Sequence, residues 1–426
     1  MSNNNRMMKN LIYITGDITK TFFTNEIGYF CQNFDNVYVF AYKGDPHQAQ
    51  KLSEKYGFQY KLLNFRHLSI KSLKLYRNIN QEEFVRTEKH TRKLKGIHEI
   101  KRKLYIDLYV LFLSIFYQYI QDVLDYGGDI YVYSFWLSRP AFISGYLKYK
   151  YNLRNVVTRT HRYDLYEEEN ELNYLPFRRF ITENIDTLYF SSMDSFEYFY
   201  KKKYSPINKY PAYKLSYLGT EKSIWHKCKK NSDRLVVASC SAVIPRKRLD
   251  LIVNTIKYLS DFSEIPIHWI HIGGGNQMRE VTDLCREQLR DISYELIGNV
   301  QGSEIYEIYE KNNVDFFINM SDSEGIPVSV IEALSMGIPI IIRNVGGNLD
   351  AVTNGQNGIV INEEVTNSTC KLVARKILDL YSNDSLYNQH SENAILTWQR
   401  KFDANKNIQE ICSDILDPTN MERIEI

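Results

Sequence analysis

Net charge is nearly absent from this chain. Its 53 Lys and Arg stand against 51 Asp and Glu, a formal balance of +2 over 426 residues, which argues against a dedicated nucleic-acid binder. Cysteine is sparse and unpatterned. The six, at positions 31, 228, 240, 285, 370 and 412, form no C-x-x-C pair and no zinc spacing, so they read as reduced, mostly buried thiols of a cytosolic protein. The N-terminal "MSNNNRMMKNLIYITGD" lacks the apolar core of a secretory signal. Long hydrophobic runs are missing too. The nearest, "LYVLFLSIFYQYI" at 108–120, lies between Asp107 and Gln121; it falls short of the roughly 20 residues a bilayer requires and reads as a buried core helix. No Asp-x-Asp pair stands in a convincing metal-binding context. The glycines of "HIGGGNQ" are not a full dinucleotide fingerprint, so no metal and no cofactor is expected.

What is present is an ordinary globular composition, 44% hydrophobic and 24% charged, in a length that suits two domains of roughly 150–200 residues. "NLIYITGD", "ITKTFFTNEIGYFCQNF" and "NVYVFAYKG" read as strand, helix, strand. "DIYVYSFW" (129–136), "NVVTRTH" (155–161) and "TLYFSS" (187–192) are short apolar runs ended by polar residues, the pattern of buried parallel strands. From residue 234 the alternation restarts with "RLVVASCS", "RLDLIVNTIKYLSD" and "IHWIHIGGG", and continues to "GIVIN". The fold class expected is α/β, with two Rossmann-like, doubly wound domains. The first spans 1–218 and the second 219–395. Residues 396–426 read as a helical segment that packs back on the first domain, and the lysine-rich stretch 219–233 reads as a linker.

One region is strongly basic. Residues 66–103 hold 12 Lys and Arg against 4 Glu, and "YFYKKKY" at 198–204 adds a second basic–aromatic patch. Two readings stand side by side: a solvated helical face or mobile loop, or a surface that meets anionic lipid or an anionic acceptor.

The chemistry is concentrated in "SDSEGIPVSVIEALSMGIPIII", residues 321–342. Glu324 and Glu332 lie eight positions apart, roughly 80° past two full helical turns, so they do not share one face of a continuous helix. The spacing makes sense if Glu324 sits in the entering loop and Glu332 on the helix. Gly325 permits close backbone approach to a ligand, and Pro327 suits the first helical position. The amides around Gly325, Ile326, Pro327 and Val328 would form a helix N-terminus able to seat a phosphate. A capped helix with two solvated glutamates has the same spacing.

This region resembles the E-x7-E signature of glycosyltransferase family 4, and the resemblance extends through "ASCSAVIPRKRLDLIVNTI", "HIGGG", "YELIGNVQGSEIYEIYEKNNVDFFINMS", "NVGGNLDAVTNGQNGIVI" and a late Trp398. In the N-terminal half "TRTHRYDLYEEE" and "KTFFTNEI" are similar to the family's histidine segment and first helix. The resemblance implies a GT-B fold, two Rossmann-like domains facing a cleft, and retaining transfer of a hexose from a nucleotide-sugar, with UDP the expected nucleotide. Glu324 would contact the donor sugar, Gly325–Val328 the sugar and diphosphate, and Glu332 the ribose. Lys247 would meet the diphosphate; Arg246, Arg248 or a weaker Ser241 contact would complete that clamp. His161 would orient the reacting sugar, Gly16 would let the first strand–helix loop approach the phosphate, and Asn299 and Val300 would line the base site. The implied partners are a nucleotide-sugar donor and a surface glycan or lipid-linked acceptor, with no nucleic acid; the second reading of the basic stretches adds an anionic membrane surface at the inner face of the cell membrane. The alternatives are a non-catalytic GT-B partner subunit, expected to lose the donor residues kept here, and a nucleotide-sugar epimerase, which needs no acceptor.

Overall fold

The computed structural model describes residues 7–91, 94–202, 211–221, 230–231, 233–362, 364 and 366–420. Most of the linker read at 219–233, Cys228, and residues 203–204 of the second basic patch lie outside the described residues. The chain divides into two units, Met1–Ser216 with Ile408–Ile426, and Tyr217–Asn407.

The first unit holds seven strands: β1 (Lys9–Asp17), β2 (Asn36–Lys43), β3 (Gln59–Leu62), β4 (Asp129–Ser134), β5 (Asn155–Arg159), β6 (Thr187–Phe190) and β7 (Ala212–Leu215). All pair in parallel, in the order β3-β2-β1-β4-β5-β6-β7. β3 and β7 are four-residue edge strands without the apolar run that marked the others, so periodicity did not reveal them.

Alternate residues of these strands face opposite layers. Ile12, Ile14, Val132, Val156 and Leu188 join the core that includes the middle of helix Ile97–Leu124. Tyr13, Tyr133 and Tyr189 point the other way, into a buried polar network. Tyr13 and Tyr133 hydroxyls donate to Glu26 Oε2 at 3.1 and 3.2 Å, and Arg159 Nη1 meets Glu26 Oε1 at 2.7 Å. Tyr189 donates to Asp414 Oδ2 at 3.1 Å, and Asn155 Nδ2 donates to the carbonyls of Asp414 and Ile415 at 3.2 and 3.0 Å. These bonds fix the end of the last helix, Ala404–Leu416, on this sheet.

The apolar run at 108–120 needs a correction in length. It belongs to a 28-residue helix that begins at Ile97 and is long and apolar enough to cross a membrane, although 56% of the qualifying window is buried inside the protein. Tyr109, Val110, Phe112–Tyr117, Ile120 and Val123 are core residues.

The second unit holds β8 (Leu235–Cys240), β9 (Ile267–Ile272), β10 (Ser293–Gly298), β11 (Phe316–Asn319), β12 (Ile340–Arg343) and β13 (Gly358–Ile361), in the order β10-β9-β8-β11-β12-β13. Here both faces are apolar. Leu235, Val237, Phe316, Ile318 and Ile341 pack on one side; Val236, Ala238, Phe317, Ile340 and Ile342 pack on the other. Strand order reverses between β8 and β11, which puts the loops following these two strands side by side at the carboxyl edge of the sheet. That topological switch point is where ligands bind in open α/β sheets.

Candidate functional site

The loop after β8 and the loop after β11 are stitched together by a backbone bond and by an arginine side chain. Asp322 N donates to the Arg246 carbonyl at 2.9 Å, and Arg246 Nη1 donates to the Ser323 carbonyl at 2.5 Å. Lys247 ends a single 3₁₀ turn, Pro245–Lys247, which aims its ammonium at Glu324 Oε1 in a direct ion pair. Arg246 Nη1 stands 3.6 Å from Glu324 Oε2. Glu324 and Lys247 are nearly buried, with 8% and 13% of their side chains exposed, whereas Arg246 keeps 40%.

Arg248 is held differently. It adopts a left-handed backbone, φ 51° and ψ 49°, where a residue other than glycine is uncommon. Its guanidinium grips Asp250 at 3.0 and 2.9 Å and reaches Asp322 at 3.3 Å. Asp322 also pairs with Arg343, which ends β12. Arg343 was not among the expected residues. Its place at the carboxyl end of an apolar parallel strand was the available signal.

Glu324 lies in the loop and Glu332 on helix Val328–Ser335. Pro327 is not the first helical residue, as expected, but the N-cap, with ψ 129° still extended; its carbonyl accepts from Val330 and Ile331 at 3.1 and 3.3 Å. The amides of Gly325, Ile326, Val328 and Ser329 donate to no acceptor among the described residues. A Cβ built on Gly325 would meet open space, so nothing among the described residues demands glycine there. Gly346 is the opposite case. It has φ +53°, and a Cβ there would fall 1.9 Å from the Glu324 carbonyl oxygen, so the turn after β12 props up the Glu324 loop only because it has no side chain.

Glu332 is 9% exposed, and its carboxylate has no hydrogen-bond or ion-pair partner among the described residues. Burial alone pushes its pKa up from 4.5 to about 8. The thiol of Cys240, at the end of β8, is pushed up to about 12, first by burial and then by the neighbouring Glu332 charge. Glu332 therefore sits at the same switch point as Lys247.

The glycines after β9 serve packing. Gly273, at φ +133°, leaves room for the Ser241 carbonyl oxygen, which would lie 2.0 Å from a Cβ; Ser241 N donates to the Ile272 carbonyl at 3.0 Å. Asn299 follows β10 with its side chain against Gly274, and Val300 packs partly buried on the apolar layer. Both lie on the carboxyl edge of the sheet, three positions from β11 with β9 and β8 between. A cavity of about 460 Å³ opens beside Arg246, Arg248, Leu249, Gln277 and Asp322, with Lys247, Glu324 and Glu332 not in its lining.

In the first unit, Gly16 and His161 meet around one indole. Gly16 lies inside β1 rather than in the loop expected for it, and a Cβ there would only touch Trp136 at 3.6 Å. His161, at the N-cap of the short helix Arg162–Leu165, stacks on Phe135 and leans on Trp136, with ring centroids 4.4 and 4.6 Å away. Its Nε2 donates to the Phe135 carbonyl at 2.9 Å, since a carbonyl can only accept. Burial, reinforced by Arg159, drives the imidazole pKa down to about 3, so the ring is neutral. Asp164 fixes the backbone around it, accepting from His161 N at 2.7 Å and Leu137 N at 2.6 Å.

Comparison with known proteins bears on the second unit. Residues 221–397 match the family model of glycosyl transferases group 1. The O-antigen biosynthesis glycosyltransferase WbnH of Escherichia coli is 30% identical over 137 residues, 32% of this chain and 36% of its own length; the chain thus spans about a third of the length of these curated relatives. Among solved structures, Anabaena HepE in complex with UDP gives a TM-score of 0.65 at 12% identity, covering 96% of this chain and 100% of that one. The lipopolysaccharide outer core galactosyltransferase WaaB gives 0.64 at 13%, covering 96% and 99%. The fold of two parallel-sheet, Rossmann-like units is shared with these glycosyltransferase structures, and residues 221–397 carry the group 1 sequence pattern.

Proposed function

We propose that this chain is a retaining glycosyltransferase that moves a hexose from a UDP-sugar to a surface glycan or lipid-linked oligosaccharide in the cytoplasm. The observation that carries the proposal is the convergence, at one switch point, of the Lys247–Glu324 pair, four unengaged loop and helix amides, and a buried carboxylate without a partner. A nucleotide-sugar supplies what each lacks. Its diphosphate takes the amides of Gly325–Ser329 and the helix N-terminus. Its ribose diol donates to Glu332, and its sugar hydroxyls donate to Glu324. The UDP bound to HepE and the O-antigen role in the name of WbnH support this choice of donor and acceptor.

In the reaction the bond from the anomeric carbon to the diphosphate oxygen breaks, a bond to an acceptor hydroxyl oxygen forms, and that hydroxyl's proton leaves with the departing diphosphate. Negative charge gathers on the departing diphosphate, where preorganised donors in a partly dry site stabilise it. Lys247 is the first cation there. Arg246 is the second, because it is the more exposed arginine and lies beside Glu324, whereas Arg248 is committed to Asp250 and Asp322. His161, neutral and donating to a backbone carbonyl, is assigned an orienting role toward the sugar rather than a proton-carrying one. The test is a panel of nucleotide-sugars read first by thermal shift and then by nucleotide release with acceptor glycans. Stabilisation by a UDP-sugar that is lost in Glu332→Ala, together with release that is lost in Glu324→Ala, is the expected result. No nucleotide-sugar raising the melting temperature would remove the proposal.

A further inference from the structure

The first turns of the long helix Ile97–Leu124 expose Ile97, Ile100, Leu104 and Leu108, at 59, 56, 57 and 38%. At about 100° per residue these four fall within roughly 80° of one another, forming a single stripe. The other side of the same turns is firmly held. Arg102 is fully buried, donating to the carbonyls of Glu88 and Lys89 at 3.1 and 2.7 Å and pairing with Glu99 at 2.9 Å.

Helix Ile70–Ile79 runs antiparallel to the later turns. Ser69 Oγ donates to Gln118 Oε1 at 2.9 Å at one end, and Lys89 Nζ bridges Asn80 and Asp107 at 2.8 and 2.6 Å at the other. It exposes Ile70 at 77% and, on the same face, Leu73, Lys74 and Arg77. Phe65, half exposed, packs on Phe112 with centroids 4.8 Å apart, one turn beyond Leu108.

Cations rim this apolar surface. Lys101 and Lys103 flank the stripe on either side, Lys95 precedes it, and Lys71, Lys74 and Arg77 line the antiparallel helix, all exposed. Glu99 pairs with the buried Arg102 and stands 3.6 Å from Lys103, and Glu171 pairs with Lys101, so Lys71, Lys74, Arg77 and Lys95 carry the rim charge that no acid offsets among the described residues. Exposed apolar residues usually scatter singly over a protein surface. An apolar stripe edged with lysine is the pattern of a helix lying in a lipid interface. The apolar stripe also separates the two anionic partners the basic composition had left open, because a glycan acceptor in water has no use for four exposed Ile and Leu.

We propose that this face seats on an anionic lipid bilayer, with the first turns of the helix in the headgroup–acyl boundary. The helix lies on the membrane and does not cross it, since its later turns form the core of the first unit. This inference stands apart from the transferase reading.

The experiment is flotation of the full chain with phosphatidylcholine vesicles, with and without phosphatidylglycerol, at low and high salt. Binding to the phosphatidylglycerol vesicles at low salt is expected, with a salt-resistant remainder. Lys71→Gln/Lys74→Gln/Arg77→Gln should lose the preference for phosphatidylglycerol. Ile97→Asn/Ile100→Asn/Leu104→Asn should lose the remainder, about tenfold or more in vesicle affinity. All six positions are exposed, so melting temperatures and the thermal shift given by UDP should match the parent. Wild-type protein that stays with the unbound fraction at low salt overturns the proposal, as does a stripe variant that floats like wild type. A stripe variant that instead converts a dimer to a monomer in sedimentation assigns the face to a second copy and also overturns it. Flotation as expected without any UDP shift would leave this inference intact and remove the transferase reading.

Discussion

The two units share the strand order of a doubly wound sheet and treat charge in opposite ways. In the first, Glu26 and Arg159 are sealed under the sheet among Tyr13 and Tyr133, and the carboxyl edge near β1, β4 and β5 is aromatic, with His161 stacked on Phe135 and Trp136 edge-on to Phe135. In the second, both sheet faces are apolar and the ions gather at the carboxyl edge, where Lys247, Arg246 and Glu324 meet. A buried ion pair ringed by tyrosine hydroxyls, with no opening to a ligand, serves structure. A cation cluster beside unengaged amides, with a lone carboxylate next to it, is the part of the molecule that the proposed function assigns to the donor. The same topology thus yields one edge suited to stacking and another suited to a polyanion.

The sharpest way to break this contrast is at the second edge. Lys247→Ala and Glu324→Ala should each lower turnover by about 100- to 1,000-fold, measured as nucleotide release, with the far-UV spectrum unchanged. Turnover within twofold of wild type in either variant would mean that the edge does not bear on chemistry.

Gly346→Ala comes next. A methyl 1.9 Å from the Glu324 carbonyl oxygen must move the loop, so urea unfolding should show a loss of about 1–3 kcal/mol, with weaker UDP binding alongside. Unchanged binding would show that the loop position is not held from β12.

Glu332→Gln should weaken donor affinity about tenfold by calorimetry, since hydrogen bonds to a charged group are worth about 1.5–3 kcal/mol. Its pH signature is more specific. The folded protein holds the Glu332 proton up to about 8, against 4.5 unfolded, so its contribution to stability is full below 4.5 and is lost as pH rises through 8. The Gln variant should flatten that fall in melting temperature. Donor hydroxyls favour the ionised carboxylate, so wild-type affinity should rise with pH up to about 8. An affinity that is flat with pH would contradict the ribose contact.

In the first unit, His161→Ala should lower turnover about tenfold through lost orientation, while UDP affinity stays constant. With its pKa near 3, His161 should contribute no inflection to the pH–rate profile between 5 and 8. Arg248→Gly should have the smallest effect. Relief of the left-handed backbone and loss of the Asp250 and Asp322 contacts should nearly cancel, leaving stability within about 1 kcal/mol.

Much of the fold was legible because parallel strands buried on both faces read as apolar runs. "VVAS", "FFIN" and "IIIR" announced themselves, whereas β3 and β7, short edge strands with mixed exposure, did not. The loop-then-helix placement of Glu324 and Glu332 followed from eight residues failing to share a helical face. The role of Gly346 was hidden, because its φ of +53° and the crowding carbonyl 22 positions earlier in the chain both arise only in the folded turn. Arg246 and Arg248 could not be told apart by pattern, since the left-handed turn that sends them in different directions is a property of the folded loop. For Ile97–Leu108 the count of lysines was visible, but which apolar residues lay outside was not.

The sequence by itself determined the strand–helix alternation and the two-unit organisation, because local apolar periodicity encodes which faces must be buried. It also placed the carboxylates at the start of one helix. Only the tertiary structure decided that Lys247 meets Glu324, that Glu332 is buried without a partner, and that a stripe of a core helix faces outward. Each depends on strands or helices far apart in sequence becoming neighbours, and the electrostatic cost of a buried charge exists only once those neighbours have excluded water.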